Sequence, residues 1–256
     1  MTRQRIAAGA AACVAAVALV ATGGPAAQAD DGFESLPARQ IADRSRDALL
    51  DAGSLHMRAR GDLGRHRAPM TVDLSLDRSG NCAGGVDLGK GKGSVEIVKR
   101  GDDVWLKPDA DFWENQVPVG GQTFEHILDG RYMKGSASDS RLRPVVEACD
   151  LDTLRELVSD NTGGSHHGGR TFTKGDVTKV DGVRTVPVTT SGHGPRTTAY
   201  VDTGGEHHPV RITVRGHGTD AAVDLSGFDE PVPTATPSPD ETVDVSALLG
   251  RTPAPS

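Results

Sequence analysis

Residues 70–77 alternate without a break: Met70, Val72, Leu74 and Leu76 on one side, Thr71, Asp73, Ser75 and Asp77 on the other. This constrains the fold more than any other feature of the chain. A period of two places all four apolar groups on one face of an extended strand, which suits a sheet with one dry and one wet face. The pattern recurs in Val86 and Leu88, Val95 and Ile97, Val104 and Leu106. It recurs again where Val210, Ile212 and Val214 alternate with Arg211, Thr213 and Arg215. Turn residues separate the runs, as in Arg78-Ser79-Gly80-Asn81, Gly101-Asp102-Asp103 and Asp181-Gly182. About five strands are expected before residue 109 and about five after residue 170.

Two stretches follow a helical period instead. Residues 31–53 carry Leu36, Ile41, Ala48 and Leu49 as a partial apolar stripe, with Ser35 as expected cap, Pro37 near the first turn and Gly53 as stop. Residues 109–161 repeat large apolar groups at helical spacing, most clearly over 150–158, where Asp150 is the natural N-cap. A sheet that is wet on one face needs cover on the other. The expected fold class is therefore α+β: a large curved antiparallel β-sheet, a half-barrel of about ten strands, with helices packed on its concave face. Only 4% of residues are aromatic, against 32 Gly and 15 Pro, so the core is expected to be modest.

The N-terminus reads as a secretory signal peptide over residues 1–29. Arg3 and Arg5 precede an uncharged stretch that runs to Ala29, and Ala27-Gln28-Ala29 is a small-x-small cleavage site. A retained membrane anchor is the alternative; the Ala-rich run is short of the ~20 residues that a span needs. Cys13 follows Ala10-Ala11-Ala12 in a loose lipobox, but cleavage there would leave almost no apolar segment upstream, so a lipid anchor is not expected. The mature domain is expected over residues 30–228. A disordered tail rich in Pro, Thr, Ser, Asp and Glu is expected over 229–256.

Cleavage would leave Cys82 and Cys149. An even cysteine count in an exported chain points to a disulfide, with two buried free thiols as the alternative. Closing so long a loop stabilises a fold by about 4 kcal/mol on the chain-entropy account. The net charge of −7 argues against nucleic acid and against anionic membrane surfaces as partners.

Chemical motifs are scarce. Residues 84–91, Gly84-Gly85-Val86-Asp87-Leu88-Gly89-Lys90-Gly91, fall one residue short of a phosphate-binding loop, and they sit between strands with no helix to follow. His166-His167 and His207-His208 are adjacent pairs, whose side chains diverge in extended backbone. No nucleophile elbow is present, and no metal site, cofactor or enzymatic activity is expected. Trp105 and Trp113 flank Lys107-Pro108, where sheet passes into helix. They pack either in the core or at the mouth of an apolar cavity, a usual place for a ligand.

Several blocks together resemble a known family. Leu74-x-Leu76-Asp77-Arg78-x-Gly80-Asn81-Cys82 leads into a Gly-rich hairpin. Val104-Trp105-Leu106-Lys107-Pro108-Asp109, Phe112-Trp113, Tyr132, Arg143-Pro144 and Cys149-Asp150-Leu151 follow. These resemble actinobacterial exported proteins related to the LppX/LprG lipoproteins, whose fold is LolA/LolB-like. The resemblance covers roughly residues 35–231. It implies a half-barrel around an apolar cavity and the binding or transfer of lipids, with no catalytic residues. Two features depart from those relatives: Asp30 stands where they carry a lipidated Cys, and large apolar residues are few.

The expected function is thus an extracytoplasmic cell-envelope protein that binds or transfers a lipid or another hydrophobic small molecule without catalysis. Leu74, Leu76, Ile97, Trp105, Trp113 and Leu154 are the expected cavity lining. A monomer in peripheral contact with the outer face of the membrane is expected. The alternative is a structural or signalling envelope protein whose half-barrel is filled by its own helices and carries no lipid. The deciding quantity is the apolar space left between sheet and helices.

Overall fold

The computed structural model describes residues 32–61, 69–155, 170–192 and 194–245. The expected signal peptide, the His166-His167 pair and the tail beyond residue 245 lie outside the described residues.

A 3-10 turn, Phe33–Ser35, precedes helix α1 (Ala38–Asp51). Five strands follow: β1 (Ser54–Gly61), β2 (Met70–Asp77), β3 (Cys82–Asp87), β4 (Ser94–Arg100) and β5 (Asp103–Pro108). The middle of the chain supplies helices α2 (Ala110–Gln116) and α3 (Gly121–Leu128), strand β6 (Tyr132–Ser136), helix α4 (Arg143–Ala148) and a helical turn at 151–155. Then come β7 (Thr171–Lys174), β8 (Thr178–Val180), β9 (Val183–Ser191), β10 (Arg196–Asp202), β11 (Pro209–Gly216), β12 (Thr219–Ser226) and finally β13 (Thr242–Asp244).

All thirteen of these strands join one open, curved sheet in the order β13-β6-β5-β4-β3-β2-β1-β12-β11-β10-β9-β7, with β8 also paired to β9. Every pairing is antiparallel except β13 with β6. The first and last long strands meet at the centre, where Met57 lies opposite Leu225. The fold class is the expected α+β one, with more strands than alternation indicated. The additional strands are short: β6 and β13 build the edge beyond β5, and β8 is split from β7. Such strands are recruited by backbone pairing and carry no long alternating run of their own.

Register explains the dry face. Met57, Leu74, Gly84, Ile97 and Leu106 form one cross-strand row, and Leu55, Leu76 and Cys82 form the next. Gly84 is required in that row. A Cβ there would stand 2.0 Å from the Asp73 carbonyl oxygen, so the glycine-rich stretch serves close strand approach. Leu49 from α1, Cys149 and Leu151 pack onto these rows, and Phe33 and Ile41 pack onto Val186, Val188 and Val201. Each such buried side chain contributes roughly 1.5–3 kcal/mol.

Cys82 and Cys149 form a disulfide, 67 residues apart in sequence with Cα atoms 5.3 Å apart. It ties the start of β3 to the start of the helical turn that covers it. Asp150 caps that turn, its carboxylate accepting the Asp152 N–H at 2.9 Å. Ser35 does not cap α1. Its hydroxyl donates to the Gly32 carbonyl at 2.6 Å, and Pro37 holds the N-cap position.

The tail expected to be disordered from residue 229 is built into the fold as far as Val245. The Asp229 carboxylate accepts the Gly53 N–H at 2.5 Å, and the Ser54 hydroxyl donates to the Glu230 carbonyl at 2.5 Å. Val232 and Val245 are buried, and Thr242 pairs with Tyr132. A Pro- and Thr-rich composition hides this, because three residues of ladder need no apolar run.

Candidate functional site

The helix-covered face divides into a sealed part and a part with a cleft. The sealed part surrounds the disulfide. Leu74, Leu76 and Ile97 are 0%, 1% and 3% exposed, and Leu154 packs against the cluster they form. A side chain bordering even a closed void large enough for water would present surface to it. These three present almost none, so they are packed core in this conformation.

The other two expected lining residues stand elsewhere. Trp105 lies opposite Val98 and Lys134, whereas its neighbour Leu106 lies opposite Ile97. Alternation therefore puts Trp105 on the sheet face away from Leu74, with the Lys134 ammonium 5.2 Å from its ring centroid. Trp113 packs inside the α2–α3 hairpin, edge-on to Phe112 at 5.7 Å and stacked on Phe124 at 5.9 Å. Four of the six residues thus converge and the two tryptophans do not.

The cleft lies between α1 and strands β9–β11. Ala42 and Leu49 line it from the helix, and Val188, Ala199, Pro209 and Ile212 from the sheet. Its lining is almost wholly carbon, with Ser45, Arg46, Thr190 and Thr197 as the polar contributors. Two alanines create it: Ala42 on the packed face of α1 and Ala199 on the dry face of β10 leave space that larger side chains would fill. Sequence reasoning missed this site because it looked for large apolar residues, whereas the signal is small ones. The free volume is about 40 Å3, room for a water or two rather than the few hundred Å3 that a ligand pocket needs.

Polar contacts fasten both ends of the helix above the cleft. At the N-terminal end, Arg184 donates to both Glu34 carboxylate oxygens, at 2.6 and 2.8 Å. The Lys174 ammonium donates to the Glu34 and Leu36 carbonyls at 2.7 and 3.0 Å, and Phe33 stacks on His207 at 3.6 Å. The hydrogen bond from Arg184 holds the Glu34 carboxyl below its ordinary range, against a smaller opposing effect of burial. At the C-terminal end, the Arg78 guanidinium donates to the Leu50, Asp51 and Ala52 carbonyls, and Arg155 donates to Ala52 at 2.6 Å. These arginines occupy the place where a helix C-terminus favours positive charge.

The wet face carries one arrangement that resembles catalytic machinery. His56 places Nε2 2.7 Å from Asp73 and Nδ1 3.3 Å from the Ser226 hydroxyl, across three neighbouring strands. A hydrolase triad presents the acid to Nδ1 and the nucleophile to Nε2. Here that order is inverted, Asp73 is shared with Arg58, and all three residues stand on sheet surface. The row accounts for itself as cross-strand pairing. His207 and His208 stack on different rings, Phe33 and Phe228. Among the described residues no three His, Cys, Asp or Glu side chains group as metal ligands.

The geometry matches a known solved structure. LprF from Mycobacterium bovis aligns with a TM-score of 0.53 and 16% identity, over 78% of this chain and 97% of LprF. The chain has the fold of LprF. At the level of fold this agrees with the expected resemblance to exported lipoproteins of that kind. The lipoprotein LppX from Mycobacterium tuberculosis aligns over 77% of this chain and 98% of its own, at 16% identity, with a TM-score of 0.46 that adds nothing further. No protein-family model and no curated protein matches the sequence.

Proposed function

We propose that this chain is an exported, non-enzymatic envelope protein that holds the apolar chain of a lipid or similar amphiphile between α1 and β9–β11. The observation that carries this reading is the carbon-lined cleft under α1, bounded by Ala42, Ala199 and Ile212. At about 40 Å3 the cleft is the closed form of the site. An acyl chain enters when α1 lifts, and the polar contacts at its two ends set how readily it does. The headgroup stays at the rim, near Arg46, Thr190 and Thr197. Export rests on Arg3, Arg5 and the Ala27-Gln28-Ala29 cleavage site, together with a disulfide suited to an oxidising compartment.

A second reading, an envelope protein with a self-filled half-barrel and no cargo, is favoured by the sealed packing of Leu74, Leu76 and Ile97. Native mass spectrometry of protein purified from its own host separates the two. Co-purifying lipid that is lost in Ala199→Phe supports the carrier. Clean apo protein that takes up no lipid in vitro supports the self-filled reading.

A further inference from the structure

The face of β9–β11 turned away from α1 holds a second and larger cavity, of about 450 Å3. Thr189, Arg196, Thr198, Tyr200, Thr213 and Arg215 line it, and no carboxylate does. Register builds it. Thr189, Thr198 and Thr213 form one cross-strand row, and Arg196 lies directly opposite Arg215 in the next. In β10 the cavity residues Thr198 and Tyr200 flank Ala199, which lines the α1 cleft. The two sites therefore share strands and occupy opposite faces of the sheet.

Like charges directly opposite across a sheet repel. Elsewhere on this face arginines are neutralised: Arg211 meets Asp181 and Asp224, and Arg60 meets Asp224. Arg196 has no ion-pair partner among the described residues. Arg215 has Asp220, whose carboxylate stands 3.6 Å from its Nε, beyond hydrogen-bond reach. One positive charge at the cavity is thus uncompensated, and both guanidinium forks are left to donate. The Thr189 and Thr198 hydroxyls bond each other at 2.8 Å, which uses one of their two hydrogens and leaves the other free.

We infer that this cavity binds the phosphate ester of a small polyhydroxylated molecule, in chemical class a sugar phosphate. The phosphate sits between Arg196 and Arg215, and the sugar lies along the threonine row beside Tyr200. A tetrahedral phosphate offers oxygens to a guanidinium on either side, whereas a planar carboxylate satisfies one fork. The volume falls in the range of roughly 300–1,000 Å3 usual for small-molecule sites, more than a bare ion fills. The net charge of −7 and the neutralised arginines alongside disfavour an extended polyanion or an anionic bilayer. The inference does not rest on a cargo: failure of lipid uptake at the α1 cleft leaves it standing, and its own failure leaves the cleft standing.

Isothermal titration calorimetry with glucose 6-phosphate tests it. Wild-type protein should bind the ester, and should bind inorganic phosphate and glucose at least fivefold more weakly. Arg196→Gln and Arg215→Gln should each weaken the ester at least fivefold. Arg143→Gln, which removes an exposed arginine on α4, should leave binding unchanged. Relieving the opposed charges should hold or raise the melting temperature of the free protein, which separates lost binding from lost folding. A lowered melting temperature would make the pair structural and overturn the inference. So would absent binding in wild type, Gln variants that bind like wild type, or an equal loss in Arg143→Gln. Phosphate or glucose alone binding as tightly as the ester, or phosphatidylglycerol vesicles binding more tightly, would overturn it as well.

Discussion

Glu34 and Arg184 are joined by two parallel hydrogen bonds of 2.6 and 2.8 Å, and this fork fastens the N-terminal approach to α1 onto β9. The pair stands at the end of the helix that roofs the cleft. It is exposed, so its direct contribution to stability is small; under the proposed function it sets how often α1 lifts. Glu34→Gln should speed uptake of a fluorescent fatty acid several-fold in stopped-flow mixing while leaving global unfolding nearly unchanged. An unchanged uptake rate would show that α1 does not gate the cleft.

The same pair predicts a pH dependence. Glu34 is held below its ordinary value of 4.5 in the closed form. The closed form is favoured fully above that ordinary value, and the contribution is lost as pH falls through the lowered one. Uptake measured from pH 7 downwards should accelerate below about pH 4.5 in wild type. In Glu34→Gln this acceleration should be absent.

Filling the cleft should block the cargo without harming the fold. Ala199→Val adds two carbons to a space of about 40 Å3, a change close to what the cavity accommodates. Thermal stability should hold within about 1 kcal/mol of wild type, and fatty-acid binding should fall at least tenfold. Calorimetry and probe titration on the same sample check both halves.

The packed part of the face should behave in the opposite way. Leu74→Ala removes a fully buried side chain and should cost about 2–5 kcal/mol in urea unfolding, with binding per folded molecule unchanged. A variant that lost cargo while keeping its stability would move the site back to Leu74, Leu76, Ile97 and Leu154.

Breaking the disulfide should be costly too. Cys82→Ser/Cys149→Ser frees a loop of 67 residues, and the chain-entropy account gives a loss of about 4 kcal/mol. Urea midpoints with and without reductant measure it, and equal midpoints would show that the bond adds nothing to the packing.

Most of the architecture was legible in the sequence, because alternation in residues such as Leu74 and Leu76 has one structural meaning. Asp150 and Cys149 were legible for similarly local reasons: a cap and a thiol each have few uses. What escaped depended on three-dimensional register. Trp105, though buried, falls on the face away from Leu74 because it lies opposite Val98, a fact visible once its alternation with Val104 and Leu106 is carried through. Val243 joins an edge strand through backbone pairing to Met133, which leaves no pattern in a Pro-rich tail. Ala42 and Ala199 define the cleft by what they lack, and alanines in a chain so rich in small residues do not announce themselves.

The central claim is that an acyl chain lies between α1 and β9–β11. Solution NMR of methyl-labelled protein with a bound fatty acid tests it most directly. The account predicts intermolecular contacts from the acyl chain to the Ala42, Ala199 and Ile212 methyl groups, and none to Leu74 or Leu76. Contacts confined to Leu74, Leu76 and Leu154, or no contacts at a saturating concentration of the fatty acid, would contradict it.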